Sequence, residues 1–196
     1  MPDAPDPATE RILDAALRQF EEVGMRRTTI EDIAKQAGVE RVTVYRRVGS
    51  KDDVVSAVIN REAQRAIASL GLAAAISTSF EDRLAAGFTT IVRFLWNHTL
   101  ANRLIALEPE SALPRLTTNG SPVLAASVAA TVAMFDQAVR DGLLDAADDF
   151  AERAEVIVRL IHSFMMTRRV HVDLTTDDQL DAFARRYIVP IAAHPS

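Results

Sequence analysis

The stretch "TTIEDIAKQAGVERVTVYRRVGSKDDVV", residues 28–55, contains two short helical patterns with one tight turn between them. Thr29 is a suitable N-cap for the first helix because Asp32 follows three residues later, and Gly38 is a suitable residue to end it. The second helix is predicted to begin almost at once and to cover about 41–48. Two short helices joined by a sharp turn that bends at a glycine are typical of a helix-turn-helix.

The positive charge of the chain is concentrated in this same region. The protein has 22 Lys and Arg against 27 Asp and Glu, which makes a formal net charge of −5. Between Arg26 and Lys51, however, seven basic residues stand against three acidic ones. A local patch sets the local field even in an acidic chain, so this region is the part of the protein suited to a nucleic acid.

A helix in the DNA major groove needs side chains that read bases, side chains that hold phosphates and side chains that anchor the helix to its own domain. Arginine pairs with guanine, and an apolar group can meet the thymine methyl, which selects the start of the second helix for base contacts. The predicted base contacts are Arg41, Val42 and Thr43, and the predicted anchors are Val39, Val44 and Val48. The predicted contacts to the DNA backbone are Thr28, Thr29, Tyr45, Arg46, Arg47 and Lys51.

Helical periodicity continues on both sides of this stretch, and no segment alternates convincingly in the manner of a strand. Residues 1–8, with three prolines, are predicted to form a disordered tail, and Thr9 is predicted to cap the first helix. Further helices are predicted at about 51–69, 79–99, 100–108, 122–141, 149–171 and 177–193, with the clearest break at 108–122. The predicted fold is all-α, with a three-helix DNA-binding domain at 9–55 and a larger helical domain at 56–196.

The opening stretch resembles the DNA-binding region of the tetracycline-repressor (TetR-like) family of bacterial transcription regulators. The resemblance covers about residues 9 to 60 and departs from the family pattern at Arg47, where Tyr or His is common, and at Val48, where Phe is common. The positions that match in order and spacing are Thr29, Ile33, Ala34, Ala37, Gly38, Val39, Thr43, Val44, Tyr45, Ser50 and Lys51.

The resemblance implies a cytoplasmic homodimer that represses transcription and is released from operator DNA by a small-molecule effector. An activator, or a regulator that has no ligand, fits the sequence equally well. In the family the last two helices form the dimer interface, and two apolar faces on the corresponding helices here agree with that. The residues predicted for this interface are Ile157, Ile161, Met165, Phe183, Tyr187 and Ile191.

The middle helices are expected to enclose the effector, and their apolar bias predicts a hydrophobic molecule. The predicted pocket residues are Phe88, Val92, Leu95, Trp96, His98, Met134, Phe135, His162, Phe164 and Met165. The same residue types at helical spacing are also what an ordinary core contains, so core packing stays an alternative for each of them.

Other classes of protein fit the sequence less well. It contains no nucleophile elbow, no glycine-rich phosphate loop and no cluster of metal ligands, so no enzyme, cofactor or metal is predicted. The lack of cysteine excludes disulfides and thiolate metal sites. No signal peptide and no apolar run of about 18 residues is apparent, so no membrane partner is expected. The alternative left open is an all-α enzyme, or a protein-binding helical module that does not bind DNA.

Overall fold

The computed structural model describes residues 6–74, 77–117, 122–167 and 171–193. These residues form helices and no strands, which confirms the predicted fold class. The helices are α1 (Pro7–Glu22), α2 (Ile30–Ala37), α3 (Arg41–Arg47), α4 (Lys51–Ala74), α5 (Phe80–Asn97), α6 (Thr99–Leu107), α7 (Pro109–Thr117), α8 (Pro122–Arg140), α9 (Phe150–Met166), α10 (Asp177–Phe183), a π-helical segment (Ala184–Ile188) and α11 (Val189–Ala193).

The first of two compact units comprises residues 1–63 and 98–119. In it α1 packs against α2, α3 and α6, and α6 packs against α7. Its core is built from side chains that are almost completely buried, and the largest of them are Phe20, Ile12, Ile33, Val44, Val54 and Val58. The apolar positions of α1 and α2 therefore serve one common core that holds the three N-terminal helices together.

The second compact unit comprises residues 64–97 and 120–196. Phe135 of α8 lies at its centre, with its ring centroid 5.8 Å from that of Phe80 and 5.3 Å from that of Phe150. Rings at these separations and tilted to one another bury much area and attract edge to face. The core of this unit thus depends on contacts between helices that are far apart in sequence.

The N-terminus differs from the sequence-based prediction. Helix α1 begins at Pro7, so the predicted tail of residues 1–8 extends too far, and residues 1–5 lie outside the described residues. Asp6 occupies the N-cap position, and Thr9 lies inside the first turn. Proline suits the first helical position because its fixed φ is already helical and its missing N–H would have no partner there. The predicted cap at Thr9 is therefore wrong.

Three later helices also differ from the predicted ranges. The predicted break at 108–122 contains α7, which starts at Pro109, again a proline at the first helical position. Helix α4 continues to Ala74, five residues past its predicted end. The predicted helix at 177–193 changes its winding at Ala184–Ile188, where Val189 donates to the carbonyl of Ala184. Pro190 has no N–H to continue the regular ladder at this point.

Helix α8 is the one helix of the described segments that is long and apolar enough to cross a membrane by length and composition. Its buried side chains are those of Phe135 and Ala138. From the sequence, no apolar run of about 18 residues was expected, and α8 differs from that expectation. A single helix of this kind is weak evidence for a membrane span.

Candidate nucleic-acid interface and effector cavity

The turn between α2 and α3 is held by hydrogen bonds at both ends of α2. The Thr29 hydroxyl accepts from the Asp32 N–H at 3.2 Å, and the Asp32 carboxylate accepts from the Thr29 N–H at 2.9 Å, which is the predicted N-cap. The Thr29 hydroxyl also donates to the Asp32 carboxylate at 2.6 Å, and this bond, followed by the bond from the Thr29 N–H, lowers the pKa of Asp32. At the other end Gly38 has φ +67° and ψ +38°, a left-handed conformation in which glycine avoids the strain of a Cβ. Val39 then donates to the Ala34 carbonyl at 3.0 Å, so the chain reverses within three residues.

Helix α3 is anchored from one side and leaves the other side exposed. Val44 is completely buried, and Val39 and Val48 pack half-buried against the same core, as predicted for the three anchors. Val42 is 70% exposed and Tyr45 is 45% exposed. An apolar side chain as exposed as Val42 adds nothing to the core and is free to contact a partner.

The predicted base contacts lie at the start of α3, and Arg41 and Val42 are exposed while Thr43 is half-buried. Arg41 Nη2 donates to the Tyr45 hydroxyl at 3.2 Å, and its guanidinium lies 5.5 Å from the centre of the Tyr45 ring. The hydrogen bond to Tyr45 is the main cause that raises the pKa of Arg41. Arg41 is thus held along the exposed face of α3, and its role in reading bases stays a prediction.

The predicted backbone contacts divide into exposed and buried side chains. Arg46 is exposed, and Arg47 forms an exposed ion pair of 2.8 Å with Asp6, a kind of pair that adds little stability and can be exchanged for a phosphate. Lys51 Nζ donates to the Arg26 carbonyl at 2.9 Å and keeps further protons to donate. Thr29 is exposed, although its hydroxyl is used in the cap of α2.

Thr28 does not fit a phosphate contact. Its side chain is 1% exposed, and its hydroxyl donates to the Gly24 carbonyl at 2.8 Å. The hydroxyl therefore satisfies a buried carbonyl at the end of α1 and does not face solvent. The sequence suggested a surface position because threonine is common at helix starts, but here the helix start is Thr29.

A cavity of about 610 Å³ lies within the second unit. This volume is in the range of small-molecule sites, roughly 300–1,000 Å³. Its large apolar lining residues come from four helices and are Ile67, Leu70, Leu84, Phe88, Ile91, Met134, Ile157 and Ile161. A mostly apolar cavity of this size agrees with the expectation of a hydrophobic effector.

Only Phe88 and Met134 of the predicted pocket residues line this cavity. Trp96 instead donates from its ring N–H to the Phe164 carbonyl at 3.0 Å. The remaining predicted residues of the second unit that do not line the cavity are Val92, Leu95, Phe135, His162, Phe164 and Met165. Helical spacing identified these side chains as inward-facing but could not separate the core from the cavity wall. Burial is the main cause that lowers the pKa of His162.

His98 belongs to the first unit and is not a pocket residue. Its Nδ1 accepts from the Ala101 N–H at 3.3 Å and so caps α6, and its Nε2 lies 3.2 Å from a Glu62 carboxylate oxygen. Both ring nitrogens therefore have structural roles.

The polar groups of the cavity were missed by the sequence-based prediction. Arg83 is 8% exposed and donates from Nη1 to the Asp141 carboxylate at 2.8 Å. Gln137 donates to the same carboxylate at 2.7 Å. These bonds, from Arg83 first and then Gln137, lower the pKa of Asp141. The available signal was that Arg83 lies on the apolar face of α5, between Phe80 and Gly87.

The residues predicted for the dimer interface are divided by the structure. Ile157 and Met165 are buried within the second unit, and Ile157 and Ile161 line the cavity, so this face of α9 is turned inward. Ile157 and Met165 are therefore not available to a partner. Tyr187 is 50% exposed, whereas Phe183 and Ile191 are half-buried, and these three stay predictions for an interface.

Residues 12–58 match the family model described as "Bacterial regulatory proteins, tetR family". The matched segment contains α2, the turn, α3 and the exposed face described above. This segment has the DNA-binding domain of the TetR family. The matched segment includes the departures at Arg47 and Val48, and Val48 still packs against the core.

Curated relatives agree with this family. An uncharacterized HTH-type transcriptional regulator of Mycobacterium tuberculosis is 33% identical over 88 residues, which are 45% of this chain and 44% of the relative. The HTH-type transcriptional activator FasR of Mycolicibacterium smegmatis is 27% identical over 136 residues, 69% of this chain and 61% of that protein. The chain thus spans less than two thirds of the length of either relative. Both are transcription regulators, in line with the prediction of a regulator and not an enzyme.

Solved structures share the fold over nearly the whole chain. The repressor AlkX of a Dietzia strain, implicated in biodegradation of n-alkanes, has a TM-score of 0.74 at 19% identity, with 96% of both chains covered. FadR of Bacillus subtilis, solved in complex with stearoyl-CoA, has a TM-score of 0.61 at 20% identity, with 95% of this chain and 99% of that chain covered.

Proposed function

We propose that this TetR-family protein is a sequence-specific DNA-binding repressor whose affinity for its operator is controlled by a small hydrophobic effector. The observation that carries the proposal is the exposed face of α3, presented by a capped α2 and a left-handed turn at Gly38. In a helix-turn-helix the second helix lies in the major groove and its first residues contact base edges. Arg41, Val42 and Thr43 are the residues of this chain at that place.

The proposed protein acts as a homodimer on double-stranded DNA. One helix-turn-helix reads few base pairs, and a pair on half-sites about 34–36 Å apart reads enough for tight binding. Exposed apolar side chains near the C-terminal helices support a second copy as partner, among them Tyr187 and Val156, which is 47% exposed. Because its DNA is in the bacterial cytoplasm, the proposed location is cytoplasmic.

The cavity of the second unit is the proposed effector site. FadR, which shares the fold, holds stearoyl-CoA in its solved structure, so this architecture accommodates a ligand with a long apolar chain. An effector changes operator binding only if it binds the two conformations of the protein with different affinity. For a repressor it has to bind more tightly to the conformation that does not fit successive major grooves.

Selection of bound sequences from random duplex DNA by the full-length protein tests this proposal. We expect enrichment of one palindromic sequence whose half-sites are separated by one helical turn or a multiple of it. The affinity for that sequence should fall steeply as salt is raised, because Lys and Arg release counterions from phosphates. A protein doubly substituted as Arg41→Ala and Val42→Ala is the matched control and should enrich nothing. Failure of the unsubstituted protein to enrich any sequence would exclude specific DNA binding.

A further inference from the structure

Arg83 is the one strongly buried cation in the lining of the cavity. Its Nη1 is bonded to Asp141, but its Nε is shielded from solvent and meets no hydrogen-bond acceptor among the residues that the structure describes. Leaving a buried donor without a partner is unfavourable, and more so for a charged group. A ligand with an acceptor at this place removes that cost, so Arg83 is the polar group of the cavity with most to gain from binding.

The other polar side chains of the lining are already bonded to neighbouring groups. The Thr131 hydroxyl donates to the Ser127 carbonyl at 2.9 Å. The Gln137 amide donates to Asp141 and accepts from Arg140 at 2.7 Å. Both Asp141 carboxylate oxygens already accept, one from Arg83 and the other from Gln137. The Arg83 Nε is therefore the buried donor of this lining that still needs an acceptor, and a ligand gains most by supplying one.

The charges around the patch favour an anionic acceptor. A guanidinium is always protonated, and Arg140 adds a second positive charge that acts on Asp141. Arg140 is exposed and lies outside the lining, so Arg83 is the cation that a ligand in the cavity meets directly. Hydrogen bonds from a guanidinium to an ionised acceptor are roughly twice as strong as those between neutral groups. A carboxylate therefore binds this guanidinium more strongly than a neutral acceptor, and its two oxygens match the planar fork of arginine.

We propose that the effector is an amphipathic carboxylate, whose carboxylate accepts from the Arg83 guanidinium and whose apolar body lies against the side chains of α4, α5, α8 and α9 that line the cavity. The inference rests on the proposed role of the cavity as the effector site. It narrows a hydrophobic effector to an acid and excludes a cation or a plain hydrocarbon as the preferred ligand.

Calorimetric titration of the full-length protein with three probes of equal chain length tests the head group. The probes are sodium dodecanoate, dodecan-1-ol and dodecyltrimethylammonium, each below the concentration at which it forms micelles. We expect dodecanoate to bind about tenfold to a hundredfold more tightly than dodecanol, as one charged hydrogen bond gives. The cation should bind more weakly than the alcohol. Binding of dodecanol or of the cation as tightly as dodecanoate would overturn the inference.

Substitution of Arg83 tests the residue. Arg83→Gln should reduce the affinity for dodecanoate by about tenfold to a hundredfold. The affinity for dodecanol should stay within about twofold of that of the unsubstituted protein. Because this change leaves Asp141 without its cation, the double variant Arg83→Gln with Asp141→Asn is titrated as well, and its helical circular dichroism checks folding. Arg159→Gln removes an exposed arginine outside the cavity lining and is the matched control, with no change expected. An unchanged preference for dodecanoate in the folded double variant would sink the assignment.

DNA binding without any probe separates this inference from the proposed function. If the protein enriches an operator but its affinity for dodecanoate does not depend on Arg83, the proposed ligand class is wrong and the proposed DNA-binding function is supported. If dodecanoate binds through Arg83 but no duplex is enriched, the carboxylate site stands and the proposed DNA-binding function is wrong.

Discussion

Arg41 and Tyr45 lie one turn apart on α3 and contact each other within that helix, whereas Arg83 and Asp141 are 58 positions apart and meet only when the start of α5 reaches the end of α8. The candidate DNA-binding surface is thus local in sequence, and the candidate effector site is assembled over long range. The same physical difference explains why the family model matches the contiguous segment 12–58. Residues that form a surface from one stretch of chain can be recognised as one sequence motif. Residues that line a cavity built from several helices are scattered along the sequence and look like ordinary helix positions.

Removing a central side chain of the second unit should have the largest effect, and that effect is on the free energy of unfolding. Phe135→Ala should lower the free energy of unfolding by about 3–5 kcal/mol, because the completely buried ring contacts Phe80 and Phe150. Urea unfolding followed by circular dichroism measures this. The exposed Val172→Ala is the control and should cost far less. A cost below about 1 kcal/mol for Phe135→Ala would mean that the second unit does not depend on this cluster.

The candidate DNA-binding surface is tested by Arg41→Ala. We expect a loss of about 1–3 kcal/mol in binding to the selected operator and a relaxed preference at one base pair, because arginine reads guanine through two hydrogen bonds. Titration of operator and random duplex at one salt concentration measures both. An equal loss on the two duplexes would contradict the base-reading role and make Arg41 a phosphate contact.

The cap of α2 is tested by Thr29→Ala, which should cost about 1 kcal/mol of stability because the Asp32 N–H loses its acceptor. Thr9→Ala is a well-matched control, since Thr9 lies inside the first turn of α1 and not at its N-cap. Denaturation of both variants at neutral pH gives the comparison. If Thr9→Ala proved as costly as Thr29→Ala, the observed start of α1 would be wrong.

The smallest expected effect concerns a single phosphate contact. Lys51→Ala should weaken binding to operator and random duplex alike and reduce the slope of log affinity against log salt by about one unit. Lys35→Ala, an exposed lysine near the end of α2, is the control and should leave the slope unchanged. An unaltered slope in Lys51→Ala would assign this lysine only to its bond with the Arg26 carbonyl.

Sequence reasoning succeeded where a structure depends on neighbouring residues. The cap at Thr29, the bend at Gly38 and the buried anchor Val44 all follow from short-range rules for helix ends and helix faces. It failed where two local signals compete. Pro7 decided the start of α1 before Thr9 could cap it, and Pro109 started α7 within a segment that otherwise looks like a loop.

The residues of the second unit show most clearly what could not be predicted from the sequence. Periodicity correctly assigned Phe135, Ile157 and Met165 to inward or apolar faces, but it could not assign them to core, cavity or dimer interface. Arg83 was missed because a charged residue in one helix has meaning only with its partner from another. Both errors come from the same cause, since helix amphipathicity gives the direction of a side chain and not the element that it meets.

The sequence by itself determined the all-α class, the helix-turn-helix, the position of its basic surface and the resemblance of this segment to the TetR family. These depend on hydrogen bonds and side-chain spacing within one or two helical turns, which the order of residues specifies directly. Only the tertiary structure decided that Thr28 is buried, that His98 caps α6 and that Arg83 and Asp141 form the polar patch of a cavity. Those outcomes depend on which helices pack together, a property of the whole chain and not of any single stretch.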